Sequence, residues 1–273
     1  MQWLKSPKIS EIQKYVECYW FLEKKETNGP FQTPKLNPDP SGHLMISPET
    51  QPYSYTLGEH EFLGKGCHWI FPHLNTFQLD HSNPFVYIGI KFRVGALYAI
   101  EIPGLVHPQL NEIASTLVIE NSHATQIIDL ARTRPDDCVD RLDSLLSPWL
   151  IGIQQDKHCL LTNRALQVLN DIDISKIGES IHCSQRTLER SFRKVTGFTM
   201  KQCKVMNKLE AMLEQIYKLD GSEINWAEIA LEFGFSDQPH LIRHLREQIG
   251  LTPKVYSEER GLTIDAYGGI ESF

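Results

Sequence analysis

Trp226-Ala-Glu-Ile-Ala-Leu-Glu-Phe-Gly-Phe-Ser-Asp-Gln-Pro-His-Leu-Ile-Arg-His-Leu-Arg246 reads as a short helix, a tight turn and a second helix. Ile229 and Ala230 fall on the buried face of the first helix. Gly234 supplies a turn that needs positive φ, and Ser236 is expected to cap the helix that follows. A second helix held at this angle is shaped to lie in the major groove of duplex DNA.

The same order of signals occurs upstream. Ile174, Ile177 and Ile181 mark a supporting helix by their spacings of three and four. His182 and Cys183 make the turn, Ser184 is the N-cap, and Gln185 to Thr196 is the second helix, with Leu188, Phe192 and Val195 as its apolar stripe. Gly197 ends it as a C′ glycine does. Between the two units, Met200 to Leu219 carries Val205, Leu209, Met212, Leu213 and Ile216 on one face of a longer helix. A helix of ~20 residues rises about 30 Å, close to the ~34 Å between successive major-groove faces, so one chain spans two adjacent groove segments.

The residues Ser184-Gln-Arg-Thr-Leu-Glu-Arg-Ser-Phe-Arg-Lys-Val-Thr-Gly197, Ile229-Ala230, Gly234-Phe-Ser-Asp-Gln238, Gly250-Leu-Thr-Pro253 and Tyr256 resemble the DNA-binding domain of the AraC/XylS transcription regulators. The resemblance runs over residues 158–257. It departs at His182, where the family usually has Gly, at Gly178, where it usually has Ala, and at Lys208, where Arg is common.

Charge is distributed accordingly. The chain carries a net −7, which alone would argue against a nucleic-acid partner. Residues 1–156 hold 12 Lys/Arg and 18 Asp/Glu, residues 157–258 hold 14 and 13, and residues 259–273 hold 1 and 3. From Ser184 to Lys208, Arg186, Arg190, Arg193, Lys194, Lys201, Lys204 and Lys208 face a single acid, Glu189, a local footprint for phosphate.

Helix geometry selects the outward side chains. With Leu188 and Phe192 inward, Gln185, Arg186, Glu189 and Arg190 form the groove-facing N-terminal surface of the first unit. With Leu241 and Leu245 inward, Asp237, Gln238, His240, Ile242 and Arg243 do so in the second. Arg186, Arg190 and Arg243 suit guanine O6/N7, Gln238 suits adenine, Glu189 suits cytosine N4, and Ile242 with Pro239 suits thymine methyls. Ser184, Arg193, Lys194, Lys201 and Ser236 are candidate phosphate contacts. The same charges on a solvated helix face are the plain alternative, with Glu189 pairing Arg193 at i,i+4.

Up to Phe92 the pattern is different. Val16–Leu22, His43–Ser47, Tyr53–Leu57, Trp69–Leu74, Thr76–Leu79 and Phe85–Phe92 are short, aromatic and β-branched, and divided by Pro, Gly, Asn and Asp, as in a β-sandwich or barrel. From Leu105 the pattern becomes helical: Leu110, Ile113 and Leu117, then Ala124 to Ala131, then Pro135 to Leu150. This half resembles the cupin-like sensor domains that precede the reader in AraC-type regulators. Val16-Glu-Cys-Tyr-Trp20, Pro38-Asp-Pro-Ser-Gly-His-Leu-Met-Ile46 and Gly89-Ile-Lys-Phe-Arg-Val-Gly95 are similar to an uncharacterised N-terminal domain in a subset of them. That resemblance implies effector binding and dimerisation.

His43, His60, His68, His73 and His81 raise the alternative of a metal-dependent cupin-like enzyme, but no H-x-H pair places two imidazoles on one strand face. A pure interaction module is the other alternative. Gly64-Lys-Gly66 is too short for a phosphate loop. Cys18, Cys67, Cys138, Cys159, Cys183 and Cys203 lack a C-x-x-C pair, which points to reduced thiols. There is no run of 18 apolar residues and no signal-peptide core, so a cytoplasmic protein without membrane attachment is expected.

The expectation is therefore an α+β protein of two domains: a cupin-like β-sandwich or barrel with packing helices over 1–150, a linker at 151–158, an all-α tandem helix-turn-helix reader of seven helices over 159–258, and a poorly ordered tail over 259–273. The expected function is sequence-specific regulation of transcription, activation being the commoner mode in the family. Double-stranded promoter DNA, RNA polymerase, an unknown small-molecule effector and a second copy of the chain are the expected partners, with no metal and no cofactor.

Overall fold

Phe85–Phe92 is a strand buried at every position, and the N-terminal half of the chain is built around it. The computed structural model describes residues 2–25, 32–100, 113–115, 121–219 and 224–267. Numbered in chain order, β1 (Trp3–Lys5), β2 (Val16–Lys24), β9 (Phe85–Phe92), β4 (His43–Ile46), β7 (His68–Ile70) and β10 (Ile113–Ser115) lie side by side in one antiparallel sheet. A second antiparallel sheet has the order β3 (Lys35–Leu36), β8 (Phe77–Leu79), β5 (Pro52–Leu57), β6 (His60–Lys65).

Alternation along β9 explains its complete burial. Val86, Ile88, Ile90 and Phe92 pack with Ile127, Leu142 and Leu146 of α3 (Asn121–Thr133) and α4 (Pro135–Leu150). Phe85 and Tyr87 point the opposite way, into a cluster with Tyr53, Tyr55, Phe77 and Leu79 of the second sheet. A strand covered on both faces reads as a continuous apolar run, and Lys91 is the charged exception in it. The buried Asp143 of α4 ties the helical layer down: its carboxylate accepts from the Tyr19 hydroxyl at 2.7 Å and from the Lys8 and Ile9 amides. The short helices α1 (Ser10–Gln13) and α2 (Ala96–Ala99) flank this layer.

Each expected strand coincides with a strand of the structure, with ends moved by a few residues. β6 was not anticipated, because its side chains are mostly exposed and give little apolar signal. Its hairpin with β5 turns at Gly58-Glu59, with Leu57 paired to His60, a two-residue loop of the kind glycine permits. Ile113, expected on a helix, lies in β10 and pairs with Ile70; three apolar residues at helical spacing do not outweigh a free sheet edge beside them. Leu110 and Leu117 lie outside the described residues.

The C-terminal half is helical: α5 (Lys157–Val168), α6 (Ile174–Ser180), α7 (Gln185–Thr196), α8 (Met200–Tyr217), α9 (Trp226–Glu232), α10 (Gln238–Ile249), α11 (Pro253–Glu259) and α12 (Thr263–Tyr267). α8 is shared between two cores. Met200, Cys203 and Met206 pack with Ile177, Leu188 and Phe192 of the first unit. Leu209, Met212, Leu213 and Ile216 pack with Ile229, Leu241 and Leu245 of the second.

The described part of the tail, residues 259–267, departs from expectation. Leu262 is fully buried in the second core, and the Lys35 amide donates to the Gly261 carbonyl. α12 then carries Asp265 back to accept from the Tyr256 hydroxyl and the Leu262 amide. The acidic, glycine-containing composition suggested a loose end, but two apolar residues, Leu262 and Ile264, suffice to anchor it on a preformed core.

Candidate nucleic-acid interface and interdomain cavity

In the first unit, Ser184 caps α7, its hydroxyl accepting from the Thr187 amide at 3.2 Å, and Gly197 closes the helix at φ 80°. The burial of Leu188 and Phe192 turns Arg186, Glu189 and Arg190 out to solvent. Gln185 behaves differently. Its amide nitrogen donates to the Ile174 carbonyl and to Glu189, and its amide oxygen accepts from the Gly178 amide. The side chain expected on the groove-facing surface stitches α6 to α7, and Glu189 pairs with Gln185, not with Arg193. That stitch requires Gly178: a Cβ there would stand 2.8 Å from the Cys183 carbonyl oxygen and 2.9 Å from the Gln185 amide oxygen. His182 holds the turn at φ 56°, the left-handed region where glycine is at home.

In the second unit the turn residue Gly234 has φ 63°, and Asn225 caps α9. Ser236 is not the cap of α10. The cap is Asp237, whose carboxylate accepts from the His240 amide at 2.7 Å, with Pro239 in the first turn where its missing N–H has no helical partner. Ser236 Oγ meets His240 Nδ1 at 3.2 Å, and the imidazole stands edge-on to Phe235. Asp237 and His240 are thus engaged in building the helix start. Gln238 and Arg243 are exposed beyond it, and Ile242 is half-buried.

The basic footprint is smaller than the sequence suggests. Lys194 lies over the Tyr98 ring, turned toward α2, and its ammonium is held above the ordinary lysine range by the Tyr98 hydroxyl. Lys204 donates to the Ile172 carbonyl, and Lys208 sits 3.6 Å from the centre of the Phe235 ring, where burial lowers its pKa. Arg186, Arg190, Arg193 and Lys201 are exposed.

The two halves meet along α8. Lys91, 3% exposed, bridges Glu17 on β2 at 3.2 Å and Glu210 on α8 at 3.1 Å. Burial alone would lower its pKa, but Asp39, Glu210 and Glu17 hold the ammonium above the usual range. Burial likewise opposes charge on Asp39, yet Lys91 and the His43 imidazole, 2.9 Å from its carboxylate, keep it well below the usual carboxylate range. Glu210 follows Leu209, where α8 passes from the first core to the second. Further ties run from the Tyr98 hydroxyl to Asp156, from the Thr76 hydroxyl to the Gln248 carbonyl at the end of α10, and between His81 and the Tyr267 hydroxyl. Sequence reasoning missed this seam, although a lysine inside an eight-residue apolar strand was a signal for it.

Beside Lys91 a cavity of about 170 Å³ opens between the two sheets, α8 and α12. Trp20, Tyr55, Tyr87 and Tyr267 contribute aromatic walls, and Asp39, Glu210 and Glu214 contribute carboxylates. Trp20 lies flat across Gly89, whose absent Cβ would fall 1.9 Å from the ring.

The histidines do not converge: among the described residues, no three His, Cys, Asp or Glu side chains stand together as a metal site would need. His68 is buried, with Nδ1 donating to the Gly66 carbonyl and Nε2 facing the Tyr55 hydroxyl. His73 donates from Nδ1 to Asn75. All six cysteines are unpaired. No helix among the described residues is long and apolar enough to cross a membrane.

Two helix-turn-helix units, each with a capped second helix and joined by one shared helix, define a DNA-binding protein. Residues 177–259 match the family model described as a helix-turn-helix domain, and the chain carries such a domain, of the AraC type. Among solved structures, ToxT from Vibrio cholerae is similar at 8% identity over 90% of this chain and 98% of that one, with a TM-score of 0.49. An unsaturated-fatty-acid-bound ToxT is similar at 10% identity over 90% and 94%, with a TM-score of 0.44. The AraC-like transcriptional activator CuxR follows at 11% identity over 76% and 85%, with a TM-score of 0.26. No curated protein matches the chain in sequence.

Proposed function

We propose that this protein regulates transcription by reading two successive major-groove segments of promoter DNA with α7 and α10. The observation that carries this reading is the pair of N-capped helices presenting Arg186, Glu189 and Arg190 in one unit and Gln238, Ile242 and Arg243 in the other. The 18-residue α8 separates them by about 27 Å of helix rise. Arg193, Lys201, the exposed cap Ser184 and Ser236 in the turn before α10 contact the phosphates. Asp237, His240 and Gln185 act by shaping the reading helices.

The N-terminal half sets how the two units are presented. It grips the reader through Lys91 on Glu210, through Tyr98 beneath Lys194, and through Thr76 on α10. An effector in the interdomain cavity shifts occupancy of the promoter because it binds the gripped and released arrangements unequally. The outcome is activation, through contact with RNA polymerase, and the working form is a homodimer in the cytoplasm.

Selection of bound genomic fragments by the full-length protein tests this, run beside an Arg186→Ala, Arg243→Ala variant at near-physiological salt. The expected result is a shared motif of two half-sites about one helical turn apart, lost in the variant. Equal recovery by both proteins, or binding without sequence preference, would overturn the assignment of the reading faces.

A further inference from the structure

The chemistry of the cavity narrows the kind of molecule that fits it. Three lining side chains are carboxylates, Asp39, Glu210 and Glu214, and no lysine or arginine lines it among the described residues. Glu210 and Glu214 stand one turn apart on α8, so they share a helix face. Lys91 is buried behind the wall and already held between Glu17 and Glu210, and the Lys24 ammonium donates to the carbonyl of the wall residue His81. Of the two imidazoles in the wall, His43 is taken up by Asp39. His81 is kept neutral at ordinary pH, burial lowering its pKa to about 4. An entering anion meets no lysine or arginine side chain on the described walls, whereas an entering cation meets three carboxylates.

The remaining walls agree. Trp20, Tyr55, Tyr87 and Tyr267 offer ring faces and edges, which attract a cation as well as an apolar body. The volume is close to the ~150 Å³ of an engineered apolar cavity that holds one benzene, so the body is about the size of one ring.

On the reading of this cavity as the effector site, we infer that the ligand is a small organic cation, an aromatic or cyclic amine, whose ammonium is held by Glu210 and Glu214. The same contact competes with Lys91 for Glu210. Binding therefore loosens the grip of β9 on α8 at the point where α8 passes between the two cores.

The test uses full-length protein and three probes of one size: phenethylammonium, 2-phenylethanol and phenylacetate. Calorimetry is expected to give phenethylammonium at least tenfold tighter binding than either of the others. Glu214→Gln should abolish that preference while leaving 2-phenylethanol binding unchanged, and Glu210→Gln, which keeps the shape of the wall, should do the same. Phenylacetate binding as tightly as phenethylammonium, no saturable binding of phenethylammonium, or a preference that survives in both variants would overturn the inference. Affinity for a selected promoter fragment separates it from the wider reading. A neutral or anionic probe that enters the cavity and shifts promoter affinity would sink the cation and leave the effector site standing. Preferred binding of phenethylammonium with promoter affinity unchanged would sink the regulatory reading and leave the ligand class standing.

Discussion

The Lys91 ammonium on β9 lies 3.1 Å from the Glu210 carboxylate on α8, so the centre of the N-terminal sheet holds the helix that joins the two helix-turn-helix units. Removing one partner of such a buried pair leaves the other charge uncompensated, at a cost of about 3–5 kcal/mol in fully buried cases. Lys91 is buried and Glu210 about a third exposed, which places Lys91→Met toward the upper part of that range and Glu210→Gln well below it. Urea denaturation of both variants and the double is expected to show the double less destabilised than the sum of the two. Strict additivity would mean that the pair does not act as a unit.

Gly178→Ala gains about 1 kcal/mol in helix propensity and is nonetheless expected to destabilise the protein. The new methyl would stand 2.8 Å from the Cys183 carbonyl oxygen and 3.0 Å from the Gln185 amide nitrogen, both of them backbone atoms of the turn. α6 and α7 would have to part. A lowered thermal midpoint together with weaker DNA binding checks this, and a raised midpoint would refute it.

His182→Gly should act in the opposite direction. A non-glycine residue in the left-handed region costs roughly 1–2 kcal/mol, and the greater freedom of glycine in the unfolded chain cancels part of the gain. The expected result is a stabilisation of up to about 1 kcal/mol in denaturant melts, whereas His182→Val should destabilise.

The basic side chains divide by where they lie. Arg243→Ala is expected to cost about 1–3 kcal/mol of DNA affinity and to relax specificity at one base pair, and Lys201→Ala to reduce the salt slope by about 1 for all sequences. Lys194→Ala should leave that slope unchanged, because Lys194 rests on Tyr98. Titrations of DNA binding against salt distinguish the three.

Stability should fall on acidification through the buried imidazoles. Burial lowers the pKa of His68, His73 and His81 to about 4 from an ordinary 6.5. Between those values the unfolded chain binds protons that the folded chain does not, so stability rises with pH across the window. The contribution is fully present above pH 6.5 and is lost as pH falls toward 4. Denaturation midpoints between about pH 7 and 4.5 are expected to decline, with a shallower slope in His81→Gln.

The reading helices were legible because their signals are local. The spacing of Leu188 and Phe192, the cap at Ser184 and the stop at Gly197 depend on neighbours within a few turns, and the structure places all of them as read. Ser236 lost the cap to Asp237 by one residue, since both have the chemistry for it and only the start of α10 decides between them. Ile113 was read by spacing, but three residues cannot distinguish a helix from a strand that finishes a sheet edge.

Sequence by itself determined the helices of the C-terminal half, their two apolar stripes and the exposure of Arg186, Glu189, Arg190, Gln238 and Arg243, because period and capping act through residues close together in the chain. Tertiary structure alone decided that Lys91 meets Glu210 across a sequence separation of 119 residues, that Gln185 turns onto α6 and Lys194 onto Tyr98, and that α12 walls a cavity. Those outcomes depend on which surfaces come together in three dimensions, and the favourable partner for a buried charge is fixed only when packing has removed the water that would otherwise serve it.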